Sequence, residues 1–343
     1  MAAPGRLKVI GSRLLQAIPV VIGVIIVTFI LTRALPGDPA VYFAGTIADE
    51  ESIQEVREAL GLDKSMPEQF FYYVGDLLRG DLGTSLMTGL PVAEELGRRL
   101  PASLELTLVA LIISCAVAIP LGILAATRPN SLADHACRVL VTAGVSLPTF
   151  FTGLVLIYVF YYVLGWAPPP LGRLDFIFLE PPRVTGFFLI DSVLAGDWET
   201  FWGAAKQLVL PAVTLALFTL APIARMTRAA MLQSLSSDYI RTARAAGLNG
   251  RTILYGYAFH NAMLPVVTTL GMVFSFTLGA NVLVEKVFAW PGIGSFAVDA
   301  LVASDYAAVQ GFVFVMAILF VALNLAIDIL YTLIDPRIGF DAA

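Results

Sequence analysis

Six stretches of this chain, at residues 10–32, 104–127, 139–164, 208–226, 262–284 and 310–334, each approach or exceed the roughly 20 mostly apolar residues that a helix needs to cross a bilayer. Lipid offers no water to an unpaired peptide group, so such stretches must be helices, which satisfy their own backbone. A membrane barrel would instead show short alternating segments. Composition agrees: 58% of the 343 residues are hydrophobic and 14% are charged, where a soluble domain carries about 25% charged residues. The expected fold is an all-α integral membrane protein with six transmembrane helices. The first stretch does not read as a cleaved leader, because its apolar core at 14–31 is too long and no A-x-A site follows.

Basic residues set the orientation. With the N-terminus inside, the cytoplasmic side holds Arg6, Lys8, Arg13, Arg128, Arg138, Arg225, Arg228, Arg241, Arg244, Arg251 and Arg337. The outer side holds Arg57, Lys64, Arg79, Arg98, Arg99, Arg173, Arg183, Lys206 and Lys286, spread over roughly twice the length of chain. Both termini are therefore expected in the cytoplasm. This divides the chain into 1–35 (an N-terminal segment and first helix), 36–103 (an acid-rich extracytoplasmic segment) and 104–343 (a five-helix core with a cytoplasmic loop at 227–261). The outer segment contains a short amphipathic helix near 52–60. A second outer segment, 165–207, includes an apolar piece at 184–194 that is too short to span. Membrane lipid is an implied partner. The net charge of −5 argues against nucleic acid.

Little in the chain can do covalent chemistry. Cys115 and Cys137 have no CxxC spacing, and His135 and His260 are the only histidines. No HExxH or GxSxG occurs, so a membrane enzyme is disfavoured. Gly-Lys never occurs, which excludes a P-loop, so neither cofactor nor metal is expected in this chain. Polar residues within the spans have a cost and a purpose. Glu105, Asn281, Glu285, Asn324 and Asp328 either line a polar pathway or lock helices together by hydrogen bonds. Trp290, just beyond the fifth stretch, reads as an interface anchor. Gly271 and Gly279 share one helix face and suit close packing. A channel or secondary transporter would more often show inverted repeats, and none is visible.

The loop at 227–261 is the most informative segment. Asp238 can cap a helix of about eight residues, and Gly247 can end it in a left-handed conformation. Ala243, Ala245 and Ala246 would permit close approach of another surface, and Arg241 and Arg244 add charge. A short capped helix outside the bilayer suits docking into a groove on a soluble partner.

The run YIRTARAAGL at 239–248, followed by HNAMLP at 260–265, resembles the cytoplasmic "EAA" loop of ABC importer permeases. LPGDP at 35–39, LRGDLG at 78–83, RLP at 99–101, SLP at 146–148, VFAWPGIG at 287–294 and DPR at 335–337 resemble the dipeptide/oligopeptide branch of that family. The acid of the general pattern is absent: aligned on Gly247, its first three positions are Arg241, Thr242 and Ala243. The resemblance implies a type I importer permease fold, in which the region 287–294 around Trp290 forms part of an outer gate. It implies that Asp238, Tyr239, Arg241, Thr242, Ala243, Arg244 and Gly247 contact a separate ATPase. It further implies two such ATP-binding subunits carrying ATP and Mg, a second homologous permease subunit forming a heterodimer, and an extracytoplasmic solute-binding protein. Peptides are the implied cargo; glutathione, nickel complexes and sugars are served by similar permeases.

Overall fold

Proline, glycine and capping side chains decide where the helices of this chain stop. The computed structural model describes residues 3–34, 39–44, 48–59 and 61–334. Four helices come first: α1 (Ala3–Ala34), α2 (Pro39–Ala44), α3 (Glu50–Ala59) and α4 (Met66–Leu78). The long α5 (Val92–Thr127) is followed by α6 (Leu132–Ser146) and α7 (Thr149–Leu156), which runs into a π-helical segment, Ile157–Val163. Next are α8 (Phe188–Ala195), α9 (Trp198–Leu235) and α10 (Asp238–Ala245). A second π-helical segment, Thr252–Phe259, leads into α11 (His260–Val287), and α12 (Ile293–Val302) and α13 (Tyr306–Ile334) are last.

Among the described residues, four helical stretches are long and apolar enough to cross a membrane: Val92–Thr127, Trp198–Leu235, Thr252–Val287 and Tyr306–Ile327. They contain all or most of the expected second, fourth, fifth and sixth spans. The first expected span lies within α1, which is helical throughout the apolar core at 14–31. The expected third span, 139–164, is not one helix. Leu147 is extended (φ −109°, ψ 138°) between α6 and α7, because the ring of Pro148 disfavours helical geometry in the residue before it. The short apolar helix Thr149–Val163 is what remains beyond the break.

The chain forms two units, with boundaries inside α5, between α11 and α12, and inside α13. In the first unit (residues 1–101 and 292–322), Val92 and Leu96 of α5 pack with Ile293, Phe296 and Ala300 of α12 and Ala308 of α13. Buried Asp305 organises the turn before α13. It accepts from Ser85 Oγ at 2.6 Å and from the Ala308 amide at 3.1 Å.

The second unit (102–291 and 323–343) is built on α5, α9 and α11. Its packing alternates small and large side chains: Ala102, Leu106 and Ala110 of α5 against Leu208, Leu210, Ala212 and Leu215 of α9, with Val284 of α11. Between helices in lipid there is little hydrophobic drive, so close backbone approach must supply van der Waals contact. Glycine gives the closest approaches. A Cβ on Gly122 would lie 2.9 Å from the Ala224 carbonyl oxygen, and one on Gly144 would lie 2.6 Å from that of Leu217. Gly271 meets Ile327 of α13, whereas Gly279 has open space beside it. The two glycines therefore do different work.

Gly144→Ala forces backbone apart and is expected to destabilise the purified protein by about 1–3 kcal/mol. Gly279→Ala, in open space, is expected to be neutral or stabilising by about 0.5–1 kcal/mol. Thermal unfolding in detergent checks both; equal midpoints for the two variants would contradict the packing described.

Candidate functional site

The link between α9 and α11 is a rigid piece of structure. α9 ends at Leu235, and Ser237 is the N-cap residue of α10. Asp238 is thus the first residue of α10 and not its cap, and it pairs instead with exposed Arg241 at 3.0 Å. The C-terminus closes as expected. Gly247 has φ +73°, and the amides of Gly247 and Leu248 donate to the carbonyls of Arg244 and Ala243 at 3.0 and 3.2 Å. Those two bonds satisfy carbonyls that the helix end would otherwise leave open.

Two side chains seat α10. Ile240 and Ala243 are buried among Ile123 and Ala126 of α5, Ala230 and Met231 of α9, and Ile253, Ala258 and Ala262. Ala243 was expected to admit an outside surface; it faces the chain's own core. The hydroxyl of Tyr239 hydrogen-bonds Ser234 Oγ, which donates to the Ala258 carbonyl at 2.9 Å. This ties α9, α10 and the π-helical segment together. The opposite face carries Asp238, Arg241, Thr242 and Ala245, all exposed. Their spacing of i, i+3, i+4 and i+7 puts them on one side of the helix. Arg244 and Gly247 are exposed as well.

The polar residues of the spans separate into distinct clusters. Glu105 of α5 is buried and accepts from Arg173 Nη2 at 2.6 Å and from the Leu189 amide at 2.9 Å. Arg173 also donates to the Gly186 carbonyl at 2.8 Å and lies 3.5 Å from the Phe188 ring centroid. Asp191, in the first turn of α8, anchors the same loop. Burial raises its affinity for a proton, but hydrogen bonds from the amides of Val184, Thr185 and Gly186 and from the Thr185 hydroxyl outweigh this and hold its carboxyl below the usual range.

Asn281 and Glu285, one turn apart on α11, both face α5. Ser103 Oγ donates to Glu285 Oε1 at 2.5 Å, and Asn281 Nδ2 reaches the Ser103 carbonyl and Thr107 Oγ1 at 3.3 Å. These buried groups fasten α5 to α11. Trp290 is only 2% exposed and gives its indole N–H to the Ala102 carbonyl at 2.9 Å. It packs in the core and does not stand at a lipid interface, because its polar handle is satisfied internally. Asn324 is exposed. The side chain of Asp328 lies outside the described residues, as does the DPR motif at 335–337.

The match to known proteins spans nearly the whole chain. Residues 118–340 match the family model "Binding-protein-dependent transport system inner membrane component", and residues 6–107 match its N-terminal companion. A probable D,D-dipeptide transport system permease protein, DdpB, of Escherichia coli K12 is 46% identical over 97% of both chains. A di/tripeptide transport system permease protein, DppB, of Pseudomonas aeruginosa UCBPP-PA14 is 42% identical over 97% of this chain and 98% of its own. The dipeptide transport system permease protein DppB of E. coli K12 is 41% identical over a similar share.

This chain belongs to the binding-protein-dependent inner membrane transport components. As a transport permease it is a multi-pass inner membrane protein that moves a solute without covalent chemistry of its own. Among the described residues no group of three or more histidines, cysteines and acids could hold a metal ion.

One cluster in this permease was missed in the sequence. Asp134, at the start of α6, is completely buried and accepts from Arg228 of α9 through Nε at 2.7 Å and Nη2 at 3.1 Å. Arg138 lies 3.3 Å away. From the sequence, both arginines read only as cytoplasmic positive charge. Ninety-four residues separate Asp134 from Arg228, so no local pattern announces the pair. The Arg228 hydrogen bond, the Asn130 amide and the two arginine charges bring the Asp134 carboxyl down to about 2.

The sign follows directly. A carboxyl lowered from 3.8 to about 2 contributes stability that is fully present above pH 4 and is lost as pH falls toward 2. Asp134→Asn is expected to show a lower thermal midpoint than wild type at pH 7 and a flatter dependence between pH 4 and 2. Parallel curves for the two proteins would rule out this clamp.

Proposed function

We propose that this permease forms half of an ATP-driven importer that carries dipeptides or oligopeptides into the cytoplasm. The chain would cross the membrane six times with both termini inside, in the type I importer arrangement. It would pair with a second homologous permease subunit, two ATP-binding subunits holding ATP and Mg, and a peptide-loaded extracytoplasmic binding protein. The names of its relatives support the cargo.

One observation carries the mechanical part. The eight-residue α10 is locked to the bundle by Ile240 and Ala243 yet offers Asp238, Arg241, Thr242 and Ala245 outward. A helix seated in this way can receive a push from a soluble partner and pass it to α9 and α11 without deforming. ATP binding would close the ATPase pair, shift α10 and favour the outward-open bundle. Such a shift requires only that the ATPases bind the two states with different affinity. Ile240 and Ala243 would hold the lever, and the exposed face would make the contact. Glu105, Asn281 and Glu285 would serve as helix fasteners beside the pathway.

Thr242→Trp adds bulk to the exposed face only. It is expected to leave insertion and thermal midpoint unchanged while lowering ATP-driven dipeptide uptake by tenfold or more, within the ~5–150-fold range of site-to-site coupling. Gly247→Trp adds left-handed strain of about 1–2 kcal/mol to the same obstruction and is expected to abolish uptake. Wild-type uptake in proteoliposomes by both variants, assembled with their ATPases and binding protein, would sink the docking role.

A further inference from the structure

The first unit contains a cleft of about 490 Å³ between the end of α1, the α3–α4 region and the start of α13. Small-molecule sites commonly measure ~300–1,000 Å³. Its inner wall presents the guanidinium of Arg33, with Gln69, Tyr73 and Tyr306 around it. Arg33 is positioned from several sides. Its Nε donates to Gln69 Oε1 at 3.3 Å, and the guanidinium lies 4.1 Å from the Phe29 ring and 5.9 Å from that of Tyr306.

No carboxylate among the described residues forms an ion pair with Arg33. The other arginines drawn into this protein are treated differently: Arg99, Arg173 and Arg228 each hold an acid at 2.6–2.8 Å. A half-buried guanidinium with no ion-pair partner among the described residues has lost hydration, and the Gln69 hydrogen bond and the Phe29 ring leave its charge without an anion there. Capping the end of α1 does not account for it, since the side chain reaches across to Gln69 of α4. The exposed edge of the cleft is mixed in charge: Glu58 and Asp76 stand there with Lys64, and Asp76 pairs with Arg79 at 3.5 Å.

A buried-side cation with two acids at the mixed outer edge can take a small zwitterion whose carboxylate enters first. A dipeptide fits that description, its extended backbone measuring about 7 Å. We infer that this cleft binds the free α-carboxylate of a small peptide, with Arg33 as its charge partner. Arginine suits the task, because its planar fork can meet both carboxylate oxygens. The choice of peptide over other carboxylates rests on the importer reading above. The cleft would then be a peptide site carried by the permease itself, additional to the one on the binding protein.

Saturation-transfer NMR of L-alanyl-L-phenylalanine tests this on the assembled permease–ATPase complex in nanodiscs, without binding protein. Saturable binding is expected for the free acid and not for its C-terminal amide. Arg33→Gln should weaken binding about tenfold or more, and Arg33→Lys should restore part of it. Asp76→Asn, at an exposed position, should weaken the free dipeptide and leave its N-acetyl derivative unchanged. Absence of binding by wild type, equal binding of acid and amide, or undiminished binding by Arg33→Gln would each overturn the site. Equally potent competition by inorganic phosphate would reassign it to a general anion. Should Arg33→Gln fail to assemble, an Asp76→Asn protein that does not distinguish free from acetylated peptide would also overturn it. ATP-driven uptake with the binding protein is read in parallel: binding without uptake would condemn the importer reading and leave the cleft standing.

Discussion

The second unit depends on how closely α5, α9 and α11 approach one another. Apolar side chains gain little by leaving lipid for the company of other apolar side chains, so the helices must be held by contact and by hydrogen bonds. Alanine and glycine at the crossings supply the contact, as Gly122 does against Ala224 and Thr227. Hydroxyls supply much of the bonding. Ser114 of α5 donates to the Ala216 carbonyl at 2.9 Å and meets Thr219 of α9. Ser103 joins Glu285 across α5 and α11. These bonds join one helix to the next at fixed positions, which makes the arrangement specific as well as cohesive.

The short helix α10 inherits that rigidity. Eight residues cannot hold a helix in water unaided, because nucleation costs more than so few bonds return. Here the cost is offset by burying Ile240 and Ala243 and by closing the end at Gly247. The result is a stiff element outside the apolar spans whose outward face is free of structural duty. Side chains on that face can be selected for a partner alone.

What could be read from the sequence follows from what is local. Hydropathy located the long spans, and the left-handed end at Gly247 followed from a glycine after a helix-forming run. Hydropathy also averaged over Leu147–Pro148 and so merged two helices into one. The Ser-Leu-Pro signal was visible but carried no weight against its apolar surroundings. Orientation within α10 was harder still: an alanine suits a tight internal seat and a tight external dock equally well. Trp290 reads from the sequence as an interface anchor, and only its bond to the Ala102 carbonyl shows that it packs in the core. The partners of Glu105 and Asp134 lie 68 and 94 residues away and were out of reach of any spacing argument.

The pairing of Glu105 with Arg173 also limits how this permease can be recombined. One partner sits on a membrane helix and the other on a loop outside it, and each is buried with the other. Losing either alone would strand a charge, whereas exchanging both for apolar residues would not. Helix and loop are therefore a single heritable module. A chimera that borrows the 165–207 segment from a relative must borrow position 105 with it, and lineages can drift at these two sites only in step.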